Sequence, residues 1–273
     1  MVAGQAGKLS VWDLTEEGVV RDLEGHSADI LSVEVCWNSE RAVSTDASGE
    51  VRFWYLPPGR LLHKFFKEGR AFRVRLGERG FLQLNMAYLG RLELETYGGG
   101  HCLWSRYVDG LMEASFSEAS RLVACGRHKS LALYSLDDGE PLDLEDSRSL
   151  EHKGYVCAVK FSPNGERVAF GGDQVRLFNA RTRKFEEPLP ESEILTVSSL
   201  EWSEDSRYLA ASSLQGVIRV WDVRNRLCLD RQKLEHSIEQ LAVSKDLSKV
   251  LFTGEHDFAL WDRVEDAVTR FAV

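Results

Sequence analysis

Six short runs along the chain share one pattern, in which apolar and polar residues alternate around an aromatic: KLSVWDL (8–14), EVRFWYL (50–56), SLALYSL (130–136), QVRLFNA (174–180), VIRVWDV (217–223) and FALWDRV (258–264). Alternation with a period of two places successive side chains on opposite faces, so each run predicts a β-strand. The aromatic markers are Trp12, Trp54, Tyr134, Phe178, Trp221 and Trp261. The gap from Trp54 to Tyr134 is 80 residues, twice the spacing elsewhere, which predicts one more repeat with Leu94, in RLELETY, as its marker. The seven markers then step by 42, 40, 40, 44, 43 and 40 residues, the period expected of four-stranded propeller blades.

Within a period the strands recur in one order. VCAVKFS, a PNGE turn, RVAFGG and QVRLFNA follow each other through 156–180, and VSSLEWS, EDSR, YLAASS, QG and VIRVWDV fill 197–223, with CLDRQKL as the outer strand. Turns rich in Gly, Asn, Asp and Ser join these runs, and no window carries an apolar stripe at helical spacing. The expected fold is all-β: a seven-bladed propeller of four-stranded antiparallel blades, forming a single domain over 1–273.

The repeats resemble the WD40 family, whose signature is Gly-His before a blade and Trp-Asp closing its third strand. Trp-Asp stands at Trp12-Asp13, Trp221-Asp222 and Trp261-Asp262; Gly-His stands at Gly25-His26, with weaker versions at Glu151-His152 and Glu235-His236. The resemblance implies a buried hydrogen-bonded network of His, a second-strand Ser or Thr, a turn Asp and the Trp. In blade 2 the candidates are His26, Ser44 or Thr45 and Trp54, but Ser48 occupies the expected Asp position and Asp46 falls two residues early. Blade 5 offers His152 and Asp173, with Phe178 in place of Trp. Blades are therefore expected to cohere through apolar packing more than through this network. Blade 3 departs furthest from the motif. Only 11 residues precede Trp12, where a full blade uses 24 from Val197 to Trp221, so blade 1 is expected to lack its innermost strand; either the chain is part of a longer polypeptide, the favoured reading, or the ring contains a three-stranded blade.

Composition narrows the chemistry. The chain has 273 residues, 43% of them hydrophobic, which is enough for a sizeable core, and no apolar run long enough for a transmembrane helix or signal peptide. A soluble, cytoplasmic, monomeric domain is expected. The net charge of -9 disfavours nucleic acid. Five cysteines without a CxxC pair and seven histidines without HxH or HExxH spacing give no readable metal site. His101 and Cys102 follow three glycines, but no Lys or helix follows as a phosphate loop requires, and there is no GxSxG elbow. No cofactor, metal or catalytic residue is expected.

Charge is uneven: 60–91 is basic, with Arg60, Lys64, Lys67, Arg70, Arg73, Arg75, Arg79 and Arg91, and 137–151 is acidic. The expected function is a non-catalytic scaffold or sensor binding a protein partner. The alternative is a propeller hydrolase or lyase with a polar or metal site in its central channel. The resemblance implies a binding face formed by the loops before first strands and between second and third strands. On this sequence those loops carry His26, Asp29, Arg70, Asp109, Arg127, His128, Tyr155, Asp173, Gln215 and His256, of which Arg70, Arg127 and Tyr155 are the strongest candidates.

Overall fold

The computed structural model describes residues 2–5, 7–13, 18–36, 40–66, 73–76, 80–85, 90–96, 101–144, 155–193, 196–253 and 257–272. Among the described residues there are strands, turns and no helix, and so no helix long and apolar enough to cross a membrane. The strands form seven antiparallel sheets, each from strands consecutive in sequence: one of three strands and six of four. The chain divides into two compact units, Met1–Leu111 and Met112–Val273.

The first unit holds three sheets. Sheet 1 comprises β1 (Val2–Gln5), β2 (Lys8–Asp13) and β3 (Gly18–Leu23). Sheet 2 comprises β4 (Ile30–Cys36), β5 (Arg41–Asp46), β6 (Glu50–Tyr55) and β7 (Arg60–Phe66). Sheet 3 comprises β8 (Arg73–Leu76), β9 (Gly80–Asn85), β10 (Arg91–Thr96) and β11 (Cys102–Tyr107).

The second unit holds four sheets. Sheet 4 comprises β12 (Glu113–Ser117), β13 (Leu122–Arg127), β14 (Ser130–Ser135) and β15 (Pro141–Leu142). Sheet 5 comprises β16 (Ala158–Phe161), β17 (Arg167–Gly171), β18 (Val175–Asn179) and β19 (Lys184–Phe185). Sheet 6 comprises β20 (Val197–Trp202), β21 (Tyr208–Ser213), β22 (Val217–Asp222) and β23 (Leu227–Lys233). Sheet 7 comprises β24 (Gln240–Val243), β25 (Lys249–Thr253), β26 (Asp257–Asp262) and β27 (Ala267–Ala272).

Within each unit neighbouring sheets pack face to face, as propeller blades do, with their first strands adjacent. Second strands are therefore covered on both faces and buried almost throughout, as in β5 and β21, whereas the outer strand β23 alternates between exposed and half-buried residues. Aromatics fill the gaps between sheets. Phe161, Phe170 and Phe178 of sheet 5 pack on Leu122, Leu131 and Leu133 of sheet 4, and Trp202 and Trp221 of sheet 6 pack on Leu177 of sheet 5 and Leu189 of the loop that leaves it. Trp261 and Phe252 of sheet 7 do the same against Ile218 and Val220 of sheet 6.

The repeat markers lie in third strands, or in β2 of the three-stranded sheet, but one of them is out of step. The pairing of third to outer strand shifts register between Val11 and Trp12, between Phe53 and Trp54, and between Val220 and Trp221. Such a bulge increases local twist. In sheet 3 the shift falls between Leu94 and Glu95, so the residue equivalent to the tryptophans is Glu95 and not Leu94. The first and second strands agree: Leu76 pairs with Phe81 and Phe81 with Glu95, while Leu76 packs with Phe53 and Val43 of sheet 2. One residue of displacement places Leu94 on the opposite face.

Backbone hydrogen bonds join successive sheets of the second unit at one end. Val156 N donates to Arg127 O at 3.2 Å, Val197 N to Gly172 O at 2.7 Å and Ile238 N to Ser213 O at 3.3 Å. Gly126 is required at the first of these joints, because a β-carbon there would stand 2.5 Å from Val156 O. That joint brings the β13–β14 turn against the segment leading into β16.

Candidate functional site

The polar network implied by the WD40 resemblance is complete in sheet 2, where position 48 offers a serine in place of the expected aspartate. His26 Nδ1 lies 2.9 Å from Asp46 Oδ2, His26 Nε2 lies 2.6 Å from Ser44 Oγ, and Trp54 Nε1 donates to Ser44 Oγ at 2.8 Å. Asp46, two positions before the expected site, is the turn acid. Its Oδ1 accepts from Ser48 N (2.9 Å), Ser48 Oγ (2.6 Å) and Glu50 N (3.0 Å), so one carboxylate both caps the β5–β6 turn and orients the imidazole. Ser48 thus serves the network as a donor.

Burial pulls the His26 pKa below its ordinary value, and Asp46 offsets only part of that. The ring is accordingly neutral at pH 7: Nδ1–H donates to Asp46 and Nε2 accepts from the Ser44 hydroxyl, whose oxygen receives the indole N–H. Asp46 itself is held below the usual carboxylate range; burial opposes this, but the donors from Ser48, His26 and Glu50 outweigh it. Around this core Arg52 Nε donates to Glu50 Oε2 at 2.7 Å, Lys64 Nζ to Glu50 Oε1 at 3.0 Å, and the Arg52 guanidinium lies 5.8 Å from the Trp54 ring centroid. Gly25 of the Gly-His pair makes room for it, since a β-carbon there would stand 1.8 Å from Arg52 Nη1.

His26, Asp46 and Glu50 cluster tightly enough to suggest a cation site. Their donor atoms are committed, however: both imidazole nitrogens are hydrogen-bonded and Glu50 carries two cationic partners. Among first strands, Arg75 Nη1 lies 3.5 Å from Glu34 and Lys160 Nζ 2.8 Å from Glu201, each pair joining neighbouring sheets of one unit. The basic 60–91 segment is in part internally neutralised, by these contacts of Lys64 and Arg75 and by Arg91 Nε to Glu93 at 2.9 Å.

The partner-binding candidates of the second unit gather at the joined end of its sheets. His128 and Tyr155 form an isolated antiparallel bridge, and their rings meet edge to face with centroids 4.5 Å apart. Tyr155 keeps 52% of its surface exposed, and Arg127 is half-buried beside it. Asp173 is half-buried in the β17–β18 turn. Gln215 is exposed in the β21–β22 turn, with Nε2 3.5 Å from Thr196 Oγ1. Leu214, beside Gln215 in the tight turn SLQG, is 45% exposed. In the first unit Asp29 and Asp109 are exposed; Asp29 O accepts from Ala47 N, and Asp109 Oδ1 lies 3.4 Å from Tyr107 Oη. Arg70, His152 and His256 lie outside the described residues, as do the side chains of Trp12 and Asp13.

The other markers divide by role. Trp54, Trp221 and Trp261 are buried, and Asp222 is buried against Arg207 and Asn225. Asp262 is half-buried; its Oδ1 accepts from Val264 N and Glu265 N in the turn that follows β26.

A family model described as "WD domain, G-beta repeat" matches residues 18–55, 145–175 and 190–222. Those three stretches of the chain thus carry WD40 repeats. Protein tipD of Dictyostelium discoideum is 25% identical over 238 residues, 80% of this chain and 36% of that protein. Mouse NACHT domain- and WD repeat-containing protein 1 is 25% identical over 94% of this chain and 17% of its own length. Autophagy-related protein 16 of Arabidopsis thaliana is 24% identical over 81% and 44% respectively. The chain thus spans less than half the length of these relatives. A computationally designed protein solved by crystallography superposes with a TM-score of 0.71 at 19% identity, covering 100% of this chain and 80% of that one, a likeness of fold.

Proposed function

We propose that this chain closes as one seven-bladed ring and works in the cytoplasm as a monomeric, non-catalytic platform for a protein partner. The docking end is that of Arg127, His128, Tyr155, Asp173, Leu214 and Gln215. The observation that carries this reading is the exposed Tyr155 ring, fixed edge to face on His128 and flanked by Arg127. A preorganised aromatic beside an arginine loses little side-chain freedom on binding and offers both contact area and directional donors. Committed first-strand carboxylates at Glu34 and Glu201 favour this reading over the hydrolase or lyase alternative.

The test is capture of partners from native extract by the wild-type chain, by Arg127→Ala/His128→Ala/Tyr155→Ala, and by a chain with Asp137, Asp138 and Glu140 reversed to Lys. Loss of at least about tenfold in capture is expected only with the triple variant, equivalent to about 1.4 kcal/mol. Loss only with the reversed acids would move the docking site to the outer part of sheet 4.

A further inference from the structure

In the second unit each third strand begins at a second-to-third-strand turn and runs away from it. The turns that lead on to the outer strands, at 180–183, 223–226 and 263–266 in sheets 5, 6 and 7, therefore lie at the end opposite the Tyr155 joint. Two arginines tie these turns into a row. Arg226 Nη2 of sheet 6 donates to Glu187 O and Pro188 O, just past β19, at 2.8 Å each, and Arg263 Nε of sheet 7 donates to Asp230 Oδ2 of β23 at 2.8 Å.

The carboxylates built into this row are already taken. Glu186 accepts from Arg167 Nε at 2.7 Å, Asp222 from Arg207 Nη2 and Asn225 Nδ2, and Asp230 from Arg263. Cations are left over. Arg181, Arg183 and Lys184 on sheet 5 and Arg224 on sheet 6 are exposed, and among the described residues none of them has an ion-pair partner. The exposed acids alongside, Glu166 and Glu187, balance part of this charge, and a local positive excess remains on a chain whose net charge is -9. Beyond the cations the surface turns apolar, with Leu227 54%, Leu229 42% and Val264 81% exposed. Cations without carboxylates beside aliphatic side chains without cover form a surface suited to a partner that carries both missing parts.

We propose that this row of turns holds one extended acidic segment of a protein partner, its carboxylates on Arg181, Arg183 and Arg224 and a bulky apolar residue after them on Leu227 and Val264. The guanidinium fork matches a carboxylate with two parallel donors, and the aliphatic contact excludes water beside those pairs. The neighbouring turn of sheet 4 argues for a narrow ligand. It exposes Asp137, Asp138 and Glu140 at the same end, so a flat anionic membrane or a nucleic acid duplex would meet repulsion there, whereas a single peptide segment passes it by. This surface is separate from the docking end around Tyr155, so each proposal stands or falls without the other.

The probe is a fluorescent peptide of sequence GEEDLLG, titrated at low ionic strength into the intact chain and followed by anisotropy. Saturable binding that weakens with added salt is expected. Arg181→Glu/Arg183→Glu/Arg224→Glu should bind it at least about tenfold more weakly with an unchanged unfolding midpoint, while Arg127→Ala/His128→Ala/Tyr155→Ala binds it as the wild type does. Peptides with serine in place of the acids or of the leucines should each bind more weakly than the parent. The proposal is overturned by equal binding to the charge-reversed chain, by loss confined to the variant at the Tyr155 end, or by equal binding of either serine peptide. Tighter binding of phosphatidylserine vesicles or duplex DNA than of the peptide, abolished by the same charge reversal, would also overturn it.

Discussion

Trp54 in sheet 2 and Trp221 in sheet 6 occupy equivalent places in equivalent strands, and their indole N–H groups are satisfied in different ways. Trp54 donates to Ser44 Oγ across its own sheet. Trp221 donates at 2.8 Å to Pro190 O, in the loop leaving the preceding sheet. The cause is one second-strand position. Read through the strand registers, the counterparts of Ser44 are Ala3, Gln83, Cys125, Phe170, Ala211 and Phe252. Only Ser44 carries a hydroxyl that can accept from an indole while donating to an imidazole. In sheet 7, where Phe252 takes this place, His236 meets the ring edge to face with centroids 6.4 Å apart. The pair teaches that the repeat tolerates loss of the network as long as each indole reaches some acceptor and the apolar faces stay filled.

The comparison is tested most severely by removing the rings. Trp54→Ala and Trp221→Ala should each cost about 3–5 kcal/mol by loss of buried area and creation of a cavity, measured by denaturant unfolding. Trp54 should be the more costly, because the acceptor it deserts, Ser44 Oγ, is fully buried, whereas Trp221 deserts the carbonyl of the exposed Pro190. A smaller cost at Trp54 would mean that the network can reform without the ring.

Next in size is Asp46→Ala, which strands the N–H groups of Ser48 and Glu50 and the His26 Nδ1–H in a buried site. A cost of about 2–3 kcal/mol is expected. Ser44→Ala should cost about 1–2 kcal/mol, while Ala211→Ser, which adds a hydroxyl with no histidine to receive it, should destabilise sheet 6 rather than rescue it. Stabilisation by Ala211→Ser would show that the serine alone suffices.

The smallest effect is the acid response. His26 has a folded-state pKa below its ordinary 6.5, so the unfolded chain binds the proton first. Stability contributed by this site is complete above 6.5 and falls as pH drops from there toward the lowered folded value. Asp46 and Glu50, also held below their ordinary values of 3.8 and 4.5, add a second loss only in stronger acid. Unfolding midpoints at pH 7.5 and 5.5 should differ for the wild type and converge for His26→Asn. An equal pH response in both would assign the titration to another group.

Strand order and most third-strand markers were legible because both depend on local alternation. The sheet 3 marker was not: an acidic residue, Glu95, stands where aromatics stand elsewhere, and Leu94 one residue away fitted the apolar expectation. Asp46 was misjudged for a related reason. Counting back from Trp54 points to Ser48, whereas the carboxylate reaches forward over the turn to bond Ser48 N and Glu50 N. The meeting of His128 with Tyr155 depends on a sheet-to-sheet joint at Gly126, which leaves no periodic trace in sequence. Candidate residues could therefore be named singly, but which of them touch could not.

Every sheet is made of strands consecutive in sequence, and this bears on how the chain reaches its structure. Hydrogen-bonded partners are separated by a single hairpin, so loop closure costs little conformational entropy and pairing within a sheet is fast compared with folds that join distant segments. During synthesis a sheet can pair as soon as its outer strand emerges, and each completed sheet presents an apolar face on which the next can condense. Folding should accordingly advance as a zipper from one sheet to its neighbour, and a defect in one sheet should delay the sheets synthesised after it more than those before.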